Sequence, residues 1–365
     1  MAGIYLHIPF CKSRCKYCDF FSTTHLEKQI SYVDALLTEW KDRKHEIKTP
    51  IKTIYIGGGT PSTLPIEQLQ NIVSCLDNDL SHLQLRSKDI EITLEANPGD
   101  ITLDKAKAWS DLGINRLRIG IQSFDDQLLT IIGRRHNAEQ ARNAVAAAQA
   151  AGFDNISIDL MYALPSQTMQ QWQYDVEQAI QLGVQHISSY GLIYEDGTVL
   201  TTLLEHGVIE AIDEDLELEM YDYLVEQLTT NGFIHYEVSN FAQEGRESKH
   251  NSSYWNDIPY LGMGAGAHSY NGYQRQWNIS DLDSYIKQAM AHNLQPEIET
   301  LTEEQHRTEK VMLGLRTNRG INLSMVNNQA AEKFIQQGLL VQQNEQLIAT
   351  TKGYHILNRI IEELL

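Results

Sequence analysis

Six times between residues 3 and 190 the chain repeats one pattern, and that repeat limits its fold more than any other feature. A short run rich in β-branched and aromatic residues comes first, followed by an amphipathic stretch at helical period. The runs are Gly3–Ile8, Lys52–Ile56, Ile90–Leu94, Arg116–Ile121, Asn155–Leu160 and His186–Tyr190. The helical stretches between them are Glu27–Arg43, Ile66–Leu76, Leu103–Leu112, Ala138–Ala151 and Met169–Leu182, and Gly113, Gly152 and Gly183 stand where helices stop on a left-handed residue. Strands separated by helices pair in parallel through right-handed crossovers, so the expected class is α/β. Six units fall short of the eight of a closed barrel. A partial (β/α)6 barrel and an open doubly wound sheet both fit, and in either one ligands gather beyond the C-terminal ends of the strands.

The remainder divides differently. Asp213–Asn231 reads as one more long helix. From Gly232 to about Asn278 the pattern is irregular and rich in Gly, Asn, Tyr and Trp. From Leu301 a small unit begins: two helices, a hairpin over Leu340–Thr350 turning near Asn344, and a terminal helix. That order is winged-helix-like, but its charges are balanced and offer no basic recognition face, so a structural or protein-docking role is expected. The expected divisions are 1–232 for the barrel, 233–300 for a linking region and 301–365 for the C-terminal unit.

The net charge of −19 repels phosphate backbones, which makes a nucleic-acid partner unexpected. No apolar run approaches the roughly 20 residues that span a bilayer, and no secretory pattern opens the chain. The expected compartment is the cytoplasm, with peripheral membrane association only through a protein partner.

Three of the four cysteines, Cys11, Cys15 and Cys18, fall directly after the first strand run in IYLHIPFCKSRCKYCDF. Three thiolates on one short loop can reach three irons of a four-iron cubane. Cys75, amid apolar neighbours in a helix, reads as a core residue. One iron is then left open, and a small molecule with an amine and a carboxylate can chelate it. A zinc site with a distant fourth ligand is the competing reading. The second run ends in Gly57-Gly58-Gly59-Thr60-Pro61, where glycines let the backbone approach a ligand or simply make a tight turn. Further polar residues sit at strand ends: Glu95 in LEANP, Gln122 in GIQSF, Asp159 in SIDLMYALP, and Arg134 in the GRRH segment. Carboxylates there can accept from hydroxyls or amines, and an arginine can clamp a carboxylate.

The cysteine motif, placed after the first strand of a βα repeat, resembles the radical S-adenosylmethionine (SAM) superfamily. The resemblance implies that SAM chelates the open iron of a [4Fe–4S] cluster and is reductively cleaved to a 5′-deoxyadenosyl radical. Over nearly the whole chain, HIPFCKSRCKYCDF, IGGGTPSTL, LEANP, GIQSFDD, GRRHN, DLMYALP and HNSSYW are similar to the group of the oxygen-independent coproporphyrinogen III oxidase (HemN) and the haem chaperone HemW. The resemblance implies a barrel of the radical SAM type, with Tyr5, Tyr17, Gly58, Gly59, Thr60, Glu95, Gln122, Arg134 and Asp159 as SAM contacts and Gly191 as a further one. Tyr17 lies between cluster ligands, where its ring or backbone could rest on the adenine.

Two departures separate this chain from the oxidase pattern. The oxidase carries a fourth cysteine where Phe20 stands, and an extension before the first strand, whereas here the cluster loop starts by residue 11. The motif His250-Asn251-Ser252-Ser253-Tyr254-Trp255 points to the chaperone, in which HNxxYW is implicated in haem binding. An imidazole can ligate haem iron and nearby aromatics can stack on the macrocycle. His250, with Asn251, Tyr254 and Trp255, is therefore the expected haem site, and His268 in GAGAHSY a second ligand or SAM-side contact. The expected function is a haem chaperone that passes haem to a respiratory haemoprotein. The alternatives are SAM-radical decarboxylation of coproporphyrinogen III and a SAM-radical reaction on another substrate.

Overall fold

The computed structural model describes residues 3–365. Its frame is the expected parallel series: β1 (Gly3–Ile8), β2 (Ile51–Gly58), β3 (Arg86–Ala96), β4 (Arg116–Gln122), β5 (Ile156–Tyr162) and β6 (His186–Gly191), each paired in parallel with the next. The helices on the outside are α1 (Gln29–Arg43), α2 (Ile66–His82), α3 (Leu103–Asp111), α4 (Asp126–Ile131), α5 (Ala138–Ala150), α6 (Met169–Gln181), α7 (Val199–Glu205) and α8 (Glu214–Thr230). Six start on side-chain caps that the sequence supplies directly: Thr102 for α3, Asp125 for α4, Asn137 for α5, Thr168 for α6, Thr198 for α7 and Asp213 for α8.

Alternation along the strands creates two environments. Ile4, Leu6, Ile54, Ile56, Ile92, Leu94, Leu117, Ile119, Ile158 and Leu160 are buried in one core with α1, α2, α5, α6 and α8. The residues between them, including Tyr5, Glu95, Arg118 and Asp159, line a polar interior cleft. Arg118 on β4 reaches Tyr55 on β2 (2.9 Å) and Tyr190 on β6 (2.8 Å), so the sheet curls until side chains of distant strands meet. This is a partial barrel.

The stretch read as irregular extends the same sheet at both edges. β7 (Ile234–Glu237) and β8 (Asn240–Ala242) add antiparallel to β6, while β9 (Tyr260–Met263) pairs parallel to β1 and leads to β10 (His268–Tyr270), β11 (Gln274–Trp277) and β12 (Glu297–Thr300). These strands have three or four residues each, too few for a visible two-residue period. Between them, α9 (Lys249–Trp255) contains the HNSSYW motif and α10 (Leu282–Met290) packs on α1. A second difference concerns α2, which runs on to His82. Asp79 does not break it; it accepts from Trp40 Nε1 (2.8 Å) and pairs with Lys44 (2.9 Å), and Leu80 is buried.

The C-terminal unit comprises α11 (Glu303–Gly314), β13 (Ile321–Asn322), α12 (Asn328–Gln336), β14 (Leu340–Gln343), β15 (Gln346–Ala349), α13 (Thr351–His355) and α14 (Leu357–Leu364). Its own core includes Val311, Leu315, Phe334, Leu347 and Ile360. The expected hairpin turn is present, with Asn344 at φ 56°. No helix among the described residues is long and apolar enough to cross a membrane.

Candidate functional site

The loop after β1 is pinned from several sides. Cys11 N–H donates to Thr23 O (2.8 Å), Thr23 N–H to Pro9 O (2.7 Å), Lys16 N–H to Ile132 O (3.0 Å), and Thr60 N–H to Phe10 O (2.8 Å). Lys12 binds Asp100 at 2.8 Å. The three thiols thus stand at the C-terminal mouth of the curled sheet, together with the ends of β2, β3, β4 and β5. Burial pushes the Cys11 and Cys18 thiols up. Iron must displace those protons, because the thiolate is the ligand.

The thiols do not converge as ligands of a single ion would; among the described residues no three His, Cys, Asp or Glu side chains do. A cubane does not require it, since each thiolate takes a different iron. The donor set fits that group in three other ways. All three cysteines are free. Arg134 Nη1 lies 3.3 Å from Cys15 Sγ, and its Nε is buried with no hydrogen-bond partner. Thr60 Oγ1 lies 3.4 Å from Cys11 Sγ.

The glycine turn is built for close approach. Gly58 has φ +111°, and a Cβ there would stand 2.7 Å from the His7 ring. A Cβ on Gly59 would meet the Pro9 backbone at 2.8 Å. Gly58 N–H donates to Glu95 Oε2 (3.1 Å), and Tyr55 OH to Glu95 Oε1 (2.5 Å). Burial raises Glu95 above the usual carboxylate range, with Arg118 working against it. Gln122 ends β4 at φ +75°, next to a register irregularity between β4 and β5, so its side chain is re-aimed into the cleft.

Of the residues expected to touch SAM, Tyr5, Tyr17, Gly58, Gly59, Thr60, Glu95, Gln122, Arg134 and Asp159 all line this one cleft with the three cysteines. Gly191 does not. It sits at the end of β6 beneath Tyr162 and Glu217, where a Cβ would lie 2.8 Å from Glu217 Oε1, so its smallness serves packing.

Two residues central to the site were not anticipated. Arg118 Nε donates to both oxygens of Asp159 (2.8 and 3.0 Å), and its other nitrogens hold Tyr55 and Tyr190. Burial opposes its charge, but Asp159, Tyr190, Tyr55 and Glu95 outweigh that and hold it firmly protonated. The alternation in RLRIGIQ was the available signal, since an inward arginine in a buried strand needs partners. Asp100 is the other: fully buried, it joins Lys12, Ser62 (2.9 Å) and Arg135.

The HNSSYW motif lies at the opposite end of the barrel. Glu91 on β3 accepts from the His250 N–H (3.2 Å), and α9 closes the N-terminal mouth. His250 is 1% exposed. Its Nδ1 bonds Thr53 Oγ1 (2.7 Å) and its Nε2 bonds Tyr254 OH (2.8 Å). Burial depresses it to about 3. In this conformation both ring nitrogens of His250, the imidazole expected at a haem site, are engaged in hydrogen bonds. Asn251, Tyr254 and Trp255 are half-buried around it. His268 is exposed and stacks on Trp277, with centroids 5.5 Å apart. Cys75, expected as a buried core residue, packs against the core but is only half-buried.

Residues 5–179 match the family model described as the Radical SAM superfamily, and residues 301–356 match that of the HemN C-terminal domain. Together with the thiol-lined cleft, this defines a radical SAM protein, a class that implies SAM and a [4Fe–4S] cluster. If bound, that pair would supply an electron for reductive cleavage of SAM. The protein named "Heme chaperone HemW" of Lactococcus lactis subsp. lactis is 37% identical, over 99% of this chain and 96% of its own length. The protein of that name from Bacillus subtilis is 37% identical over 92% and 87%, and the one from Mycobacterium tuberculosis 33% identical over 100% and 94%. The chain belongs to this HemW family. Among solved structures, coproporphyrinogen III oxidase (HemN) from Escherichia coli aligns with a TM-score of 0.84 over 99% of this chain and 89% of that one, at 21% identity, which is a likeness of fold.

Proposed function

We propose that this chain is a haem chaperone: it binds haem and hands it to haemoproteins of the respiratory chain. In this reading it holds a [4Fe–4S] cluster on Cys11, Cys15 and Cys18 and SAM in the adjoining cleft, and works in the cytoplasm, meeting membranes only through its acceptors. The observation that carries the reading is the 37% identity to a named haem chaperone over 99% of this chain and 96% of that protein. Phe20 supports it, standing exposed at the cleft where the oxidase pattern has a cysteine.

Within the cleft, Arg134 and the glycine turn would hold the carboxylate and amine of SAM, and Glu95 and Asp159 would accept from its amine or ribose hydroxyls. Haem ligation by His250 would require α9 to leave the barrel mouth, so the exposed His268 beside Trp277 is the more accessible imidazole.

The test is haem titration followed at the Soret band, then mixing with an apo-haemoprotein. Saturable binding and transfer are expected, with no decarboxylation of coproporphyrinogen III under reductant and SAM. Absence of saturable haem binding, or efficient decarboxylation, would overturn the reading.

A further inference from the structure

We propose that His250 is a positioning residue for the SAM cleft, acting through Tyr55 on Glu95. The proposal rests on reading the cleft as the SAM site and goes beyond it, because it gives the HNSSYW histidine a role at the other end of the barrel.

The His250 ring stacks on Tyr55 with centroids 4.9 Å apart and planes 24° from parallel. Hydrogen bonds at both nitrogens and at its own N–H leave it little freedom. Gly3 makes room for it, since a Cβ there would come within 3.0 Å of His250 Nδ1 and 2.6 Å of Thr53 Oγ1. The ring is thus a wedge that fixes where the Tyr55 ring lies. Tyr55 OH in turn accepts from Arg118 (2.9 Å) and donates to Glu95, whose second oxygen takes the Gly58 N–H. Without the wedge, Tyr55 can slide into the vacated volume. Its hydroxyl then leaves Glu95, and the carboxylate turns away from the cleft.

The chain of contacts also continues outward. Tyr254, on the far side of His250, lines a cavity of about 240 Å³ with Tyr260, Tyr270, Arg275 and Leu313, between α9, the edge strands and α11. A disturbance there reaches the cleft through the same ring.

The experiment measures SAM dissociation constants by equilibrium dialysis on anaerobically reconstituted protein, with iron content checked. His250→Ala is expected to weaken SAM on the order of tenfold at unchanged iron content, the scale of one lost hydrogen bond. Tyr55→Phe should do the same, and the double variant should be no weaker than the worse single variant, because both act on one contact. Affinity within about twofold of the wild type in His250→Ala, or losses that multiply in the double variant, would overturn the proposal. If His250→Ala does not hold its cluster, Tyr254→Phe releases Nε2 without touching the cleft. It should weaken SAM roughly threefold, and equality with the wild type would count against the proposal. Glu95→Gln separates the two layers: unchanged SAM binding there would sink the reading of the cleft itself.

Discussion

Replacing Asp100 by Asn keeps the shape of a buried side chain and removes its charge. The carboxylate joins three pieces of the site: Lys12 between Cys11 and Cys15, Ser62 just beyond the glycine turn, and Arg135 next to Arg134. Burial works against its charge, but Arg135 and Lys12 outweigh that and hold it below the usual carboxylate range. Removing one partner of a buried pair costs about 3–5 kcal/mol. Lys12 is 47% exposed, so its share is under ~1 kcal/mol, and most of the loss falls on Arg135. A total near 3 kcal/mol follows. At about 2.1 cal/mol/K per residue over 365 residues, that lowers the Tm by about 4 °C.

The sign with pH is fixed by the depressed folded value. The stabilisation is present above the ordinary carboxylate pKa of about 3.9 and is lost as pH falls through the folded value. The gap between wild type and variant should therefore be full at neutral pH and close in acid. Thermal scans across pH, with iron counted after reconstitution, measure both. A Tm within about 1 °C of the wild type at pH 7, with full cluster loading, would refute the view of Asp100 as the tie between these segments.

Further outcomes are expected at other positions. Gly58→Ala should cost about 1–3 kcal/mol and weaken SAM binding, because φ +111° and the His7 ring both resist a Cβ; a chemical denaturation curve with an unshifted midpoint would contradict this. In the Soret titration, His250→Ala should retain saturable haem binding and His268→Ala should weaken it; the reverse would show that α9 opens to free the buried imidazole. Burial lowers His250 to about 3, so it contributes stability as a neutral group. That contribution is present above its ordinary pKa of about 6.5 and is lost as pH falls toward the folded value. His250→Phe should flatten the decline of Tm between about pH 6.5 and 4; an unchanged profile would exclude it as the source.

The parallel frame was legible because alternate strand residues such as Ile54, Ile56, Ile158 and Leu160 meet the helices and must be apolar. The cleft was legible because its cysteines, glycines, Glu95 and Gln122 fall at or just beyond strand ends, where ligands gather; Asp159, expected at a strand end, stands midway along β5 and joins the cleft as an inward-facing residue. Arg118 and Asp100 were missed because their importance lies in partners far along the chain: Tyr55 and Tyr190 for one, Lys12 and Arg135 for the other. The edge strands β7 to β12 are too short for a pattern. His250 has a distinctive local sequence, yet its place is set by Thr53 and Tyr55, nearly two hundred residues away.

The central claim is that three thiolates grip a cubane and leave its remaining iron to SAM. Electron paramagnetic resonance of the anaerobically reconstituted, reduced protein tests it most directly, with iron counted on the same sample. About four irons per chain and a cluster signal that changes on adding SAM are expected, both lost when Cys11, Cys15 or Cys18 becomes Ala. A single bound metal ion, or a cubane whose signal ignores SAM, would contradict it.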